Sequence, residues 1–169
     1  MRAPLDRRSS GPVYFWITAT LAGSLLLQAA PLRFPGEWAD FVPLVPLMTL
    51  FLWSARRPEF TPPWLIFVIG VFQDLLTGGP LGIWPLAYLI AFGIARPRDE
   101  EGAGEILPLS IRFAILCAIA LLAAWLGGAM AYGEPVGGPA LLKEGAPTIL
   151  LFPLFAWIFG RRRERTSFF

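Results

Sequence analysis

Residues 113–133 read FAILCAIALLAAWLGGAMAYG, a stretch of 21 residues from Phe113 to Gly133 without one charged side chain. As an α-helix it rises about 1.5 Å per residue, roughly 31 Å in all, close to the thickness of a bilayer's hydrocarbon core. It has neither the alternation of a half-buried strand nor the polar stripe of a soluble amphipathic helix. A helix apolar on every side needs protein on one face and lipid on the other.

The same pattern recurs along the chain. The composition is 56% hydrophobic and 15% charged, where soluble domains carry about a quarter charged residues. The apolar mass falls into blocks separated by short clusters of Arg, Glu and Asp. With no water to satisfy peptide groups in hydrocarbon, helices suit such blocks. The expected fold is therefore an all-α polytopic membrane protein. It forms a single integral membrane domain, residues 1–169, with about six spans near 12–32, 41–55, 60–76, 81–95, 106–132 and 146–160.

The first and fifth blocks are long enough to cross. The others offer only about 21–24 Å each, so they recruit interfacial residues, thin the bilayer, or, for the third and fourth, form a re-entrant hairpin around Thr77-Gly78-Gly79-Pro80. The first block follows Arg2, Arg7 and Arg8 as a signal peptide would. However, its apolar core exceeds a signal h-region and Leu27-Gln28-Ala29-Ala30-Pro31 is a poor cleavage site, so a retained helix is expected. The chain has 17 prolines, which imply helix ends or kinks, among them Pro43 and Pro46 in the second block and Pro153 in the sixth.

Orientation follows from the basic residues. Arg2, Arg7, Arg8, Arg56, Arg57, Arg96, Arg98, Arg112, Arg161, Arg162, Arg163 and Arg165 fall on one side of the six spans. Only Arg33 and Lys143 fall on the other, a division of 12 against 2 among the 14 Lys and Arg. The positive-inside rule makes the first side cytoplasmic, with both termini there. A re-entrant hairpin would not change the count. The bases therefore serve topology and anionic lipid, with Arg161–Arg165 anchoring the last helix, and no nucleic-acid partner is expected.

The residue inventory disfavours catalysis. The chain contains no histidine and a single cysteine, Cys117, inside an apolar block. The commonest general base and the commonest transition-metal ligand are thus missing, and no zinc site or cofactor is expected. The acids Asp99, Glu100, Glu101, Glu134 and Glu144 read as loop residues, too dispersed for a paired-carboxylate site. Trp16, Trp38, Trp53, Trp64, Trp84 and Tyr132 stand near block ends, where amphipathic rings favour the headgroup level. Gly127, Gly128 and the neighbouring alanines give the fifth block a small-residue face suited to packing within the molecule.

One acid lies inside an apolar block. The segment Gly70-Val71-Phe72-Gln73-Asp74-Leu75-Leu76-Thr77-Gly78-Gly79-Pro80-Leu81-Gly82 sets a carboxylate and an amide side by side. A charge at bilayer depth costs about 2.5–3.5 kcal/mol on insertion scales. Two readings account for it. Gln73 and Asp74 could receive a partner's backbone, an Arg or a transported cation, with glycines permitting close helix approach. Alternatively, Asp74 could bond free backbone groups at the Thr-Gly-Gly-Pro turn.

A small six-span protein carrying Gly-x-x-Gln-Asp-Leu-Leu-x-Gly-x-Pro-Leu-Gly at mid-chain resembles the bacterial rod shape-determining protein MreD family. The matching residues are Gly70, Gln73, Asp74, Leu75, Leu76, Gly78, Pro80, Leu81 and Gly82, followed by Leu86, Ala87 and Tyr88. They cover about 20 residues, and length and topology extend a weaker likeness over the rest. The resemblance implies a non-enzymatic scaffold of the cell-elongation machinery in the inner membrane, acting in rod shape maintenance and peptidoglycan synthesis. Its implied partner is the bitopic protein MreC and, indirectly, the RodA glycosyltransferase with a class B penicillin-binding protein and MreB filaments. It also implies a helix arrangement similar to the substrate-binding components of energy-coupling-factor transporters. The site residues it points to are Gly70, Gln73, Asp74, Gly78, Gly79, Pro80, Leu81, Gly82 and Tyr88. The alternative function is a substrate-binding membrane component of a small-molecule transporter, with the same polar pair lining a ligand pocket.

Overall fold

The computed structural model describes residues 10–30, 43–95, 106–133 and 138–164. These form six α-helices and, among the described residues, no strand. The helices are α1 (Ser10–Ala29), α2 (Val45–Arg56), α3 (Pro63–Thr77), α4 (Ile83–Ala95), α5 (Ile106–Tyr132) and α6 (Gly138–Glu164). A 3-10 turn at Pro58–Phe60 joins α2 to α3. The charged connections expected at 33–40 and 96–105, together with Trp38 and Glu134, lie outside the described residues.

Each helix falls on one apolar block, with α2 starting four residues later than expected and α6 extending beyond its block at both ends. The sixth helix starts at Gly138, eight residues before the expected 146, and contains Pro147 and Pro153. Glu144, read from sequence as a loop residue, is therefore a half-buried helical residue. Pro43 and Pro46 mark a helix end, one of the two expected roles: Pro43 precedes α2 and Pro46 lies in its first turn, where its missing N–H costs nothing and its fixed φ favours the helix.

The core is built around α2, which packs against α1, α5 and α6. Its Leu47, Leu50, Phe51 and Leu52 are completely buried. Phe51 meets Phe113 of α5 and Phe152 of α6 edge-on at 5.3 and 5.5 Å, and the latter two rings stack at 3.9 Å. This buried aromatic trio joins three helices through offset and T-shaped contacts of the kind aromatic quadrupoles favour. Both ends of α2 are tied to other helices. The Leu44 N–H donates to Thr148 Oγ1 of α6 at 2.9 Å, and Trp53 Nε1 donates to Thr20 Oγ1 of α1 at 2.9 Å. Near the C-terminal end of α2, the Arg56 guanidinium lies 5.3 Å over the Phe159 ring.

The remaining helices are layered. α4 lies between α3 and α5, and α6 packs along α5. Gly127 of α5 faces Ile83 at the start of α4, so the small-residue face of α5 is used inside the molecule. α5 is apolar on both faces. Leu109, Phe113, Leu116, Cys117 and Ala120 are buried, whereas Leu107, Ile111, Ile115, Leu122, Leu126 and Met130 are exposed, Met130 to 87%. α5 is the one helix among those described that is long and apolar enough by itself to cross a membrane, with a mean hydropathy of 2.4 over its best window. Val13–Ala29, Pro63–Thr77 and Ile83–Ala95 are shorter apolar helices.

The aromatic residues divide. Trp16, Trp64 and Tyr132 are exposed. Trp53 and Trp84 are half-buried and serve packing, Trp53 against Phe159 at 5.7 Å and Trp84 against Tyr88 at 5.6 Å.

Candidate functional site at the hinge of α3 and α4

The motif singled out from sequence is a helix–turn–helix. α3 begins at Pro63, preceded by Pro62, as a Pro-initiated helix should. It ends on Gly78, whose φ of 69° is left-handed and whose N–H returns to the Asp74 carbonyl at 3.0 Å. Gly is the residue that takes this C-cap conformation without a Cβ penalty. Gly82, at φ 105°, makes the second reversal, and its carbonyl accepts the Leu86 N–H that opens α4. Gly79 and Pro80 complete the turn as half-buried residues, and Leu81 points outward at 69% exposure.

Gly70 brings the helices together. A Cβ there would lie 2.5 Å from both Cα and N of Pro85 and 2.9 Å from the carbonyl carbon of Trp84. Backbone touches backbone at this crossing, so only a residue without a side chain fits. Such contact is what small residues provide between helices.

Asp74 is 1% exposed, and both its oxygens are engaged. Oδ2 accepts the Gly82 N–H at 2.6 Å and Oδ1 accepts the Trp84 N–H at 3.2 Å. These donors belong to the opening of α4, where a helix has unpaired N–H groups and a partial positive charge. Asp74 is thus the N-cap of the following helix, supplied from the preceding one. Pro85, with no N–H, leaves one donor fewer to satisfy in that first turn. No cationic side chain among the described residues forms an ion pair with Asp74.

Gln73 is also 1% exposed and faces a different neighbour. Its Oε1 accepts a short hydrogen bond from the hydroxyl of fully buried Tyr88, one turn into α4. The Thr77 hydroxyl donates to the Gln73 carbonyl at 2.9 Å. Gln73 Nε2 has no partner among the described residues. Beside it lies a cavity of about 20 Å³ lined by Leu25, Gln28 and Ala29 of α1 and by Gln73, Leu76 and Thr77 of α3.

Gly70, Gln73, Asp74, Gly78, Gly82 and Tyr88 are therefore brought together as one hairpin fastening. Two polar residues at helix contacts are not apparent from sequence. Thr148 caps α2 from a position 104 residues away, which no local pattern reveals. Gln28 is an amide at the end of an otherwise apolar block, and that oddity was its only signal. Among the described residues there is no group of three or more His, Cys, Asp or Glu that could hold a metal ion. Comparisons of the chain with family models, with curated proteins and with solved structures return no match.

Proposed function

We propose that the chain is a six-span inner-membrane protein, with both ends of the chain on the cytoplasmic side, that serves the cell-elongation machinery as a non-enzymatic scaffold of the MreD type. In this reading it binds a bitopic MreC-like protein and, through it, the RodA and class B penicillin-binding protein complex and MreB. The membrane part is supported by the exposed apolar faces, which run from Leu107 to Met130 on α5 and continue at Leu150 and Leu154 on α6. Soluble monomers rarely expose contiguous apolar surface on this scale. The scaffold part rests on the motif. Its residues are those that lock α3 against α4, and the locked pair presents Phe72, Leu75, Leu76, Leu81, Leu86 and Ile90 outward for a partner's transmembrane helix.

The observation that favours a scaffold over the transporter alternative is that the polar pair is engaged within the chain: Asp74 accepts from the Gly82 and Trp84 N–H groups, and Gln73 Oε1 accepts from the Tyr88 hydroxyl. The test is purification of the tagged chain from its native membrane into nanodiscs, followed by mass spectrometry of intact complexes. Recovery of a single-span protein with a coiled-coil extension is expected, reduced several-fold by Leu75→Trp together with Leu86→Trp at unchanged thermal stability. Recovery of a vitamin-sized ligand with an ATPase, and no single-span partner, would overturn the scaffold reading.

A further inference from the structure

The cavity between α1 and α3 has two polar atoms to satisfy. Gln73 Nε2 is a donor on a side chain 1% exposed, and Gln28 Oε1 is a buried acceptor; neither has a protein partner among the described residues. Both residues line the same space of about 20 Å³. Thr77 lines it too; its hydroxyl proton is committed to the Gln73 carbonyl, which leaves its oxygen able to accept. Buried polar groups without partners are costly and uncommon. An ordered water needs at least about 10–15 Å³ and two to four polar partners; the space is large enough and offers three, and it opens on the side of exposed Ala29, Leu76 and Thr77.

We propose that this cavity is a binding site for a single water molecule, which accepts from Gln73 Nε2 and donates to Gln28 Oε1 and Thr77 Oγ1, joining α1 to α3. Water fits better than a ligand of fixed polarity because it can do both: its two protons reach the two acceptors while its oxygen lone pairs accept from the Gln73 amide. The Tyr88 hydroxyl donates to Gln73 Oε1, which leaves Nε2 on the other side of the amide. The remaining lining, Leu25, Leu76 and Ala29, is apolar and offers no competing bond. The bridge sits four residues from the end of α3 and one residue from the end of α1, so it holds the ends of the two helices together.

The experiment uses the full chain, labelled with ¹⁵N-glutamine, in lipid nanodiscs. Proton-detected NMR should show a through-space cross-peak from the Gln73 side-chain amide protons to a water resonance, lost in Gln28→Leu. A resolved Gln73 amide whose cross-peaks reach only lipid or protein protons would overturn the proposal. Thermal unfolding gives an independent reading. Gln28→Leu and Thr77→Val should each lower Tm by about 2–6 °C, and the double variant should fall no further than the larger single effect, because removing either acceptor releases the shared water. Additive losses would mean that no molecule couples the two residues.

Discussion

Replacing Asp74 separates a structural cap from a partner contact. In Asp74→Ala two partly buried N–H groups, those of Gly82 and Trp84, lose their acceptors. Hydrogen bonds to a charged group contribute about 1.5–3 kcal/mol each, and the carboxylate's interaction with the positive end of α4 is part of the same stabilisation. The expected loss is about 3–5 kcal/mol. For a chain of this size each kcal/mol shifts Tm by about 2–4 °C, so Tm should fall by about 6–20 °C. Asp74→Asn keeps shape and volume but turns an NH₂ towards one of the two N–H donors, and should cost about 2–3 kcal/mol. The assay is thermal unfolding of the purified chain in detergent micelles with no partner present, read by tryptophan fluorescence, since Trp84 sits at the cap. Leu75→Ala, an exposed position on the same helix, serves as the control and should remain near wild type. An Asp74→Asn protein within about 2 °C of wild type would refute the cap. If partner recovery fell while stability was retained, Asp74 would belong to the interface.

Three other outcomes follow from contacts already described. Gly70→Ala should destabilise by about 2–4 kcal/mol through overpacking, because its Cβ meets the backbone of Pro85 at 2.5 Å, while Gly127→Ala, with its nearest neighbour at 3.7 Å, should change Tm by less than about 2 °C. Thr148→Val should cost about 1–3 kcal/mol by leaving the buried Leu44 N–H without its acceptor, and chemical denaturation of the two proteins side by side measures it. Cys117 is buried, so it should resist a membrane-permeant maleimide in the folded chain and label fully after unfolding in detergent, as mass spectrometry would record.

The number and placement of helices are legible because hydrophobicity alone marks them: the block expected at 106–132 is α5, with the uncharged run from Phe113 onward filling its C-terminal part and Gly133 just past its end. The start of α6 was not. Lys143, Glu144 and Pro147 look like the charged, broken edge of a block, yet the helix runs through them and begins at Gly138-Pro139, a Pro-initiated start. Asp74 shows the same limit at the site. Its position near a Gly-Gly-Pro turn suggested a local cap, but that its donors are the N–H groups eight and ten residues ahead depends on how Gly78 and Gly82 fold the turn. The Thr148 cap depends on tertiary packing and leaves no trace in either local segment.

The short blocks that made the span count uncertain have a common physical explanation in these caps. α2 and α4 contain 12 and 13 residues, about 18–20 Å of helix, so neither reaches across a bilayer of ordinary thickness with its ends in water. A helix that begins inside hydrocarbon leaves unpaired N–H groups unless protein supplies the acceptors. Asp74 does so for α4, and Thr148 does so for α2. Thr148 lies ten residues into α6, about 15 Å along that helix, so α2 starts against the flank of its neighbour, within protein. In the membrane reading proposed above, such side-chain acceptors let short helices begin against protein rather than lipid. A buried acid in a transmembrane block usually directs attention to transport or partner binding, but both oxygens of Asp74 are already used. The unsatisfied capacity of the motif lies one residue earlier, at Gln73 Nε2, facing α1.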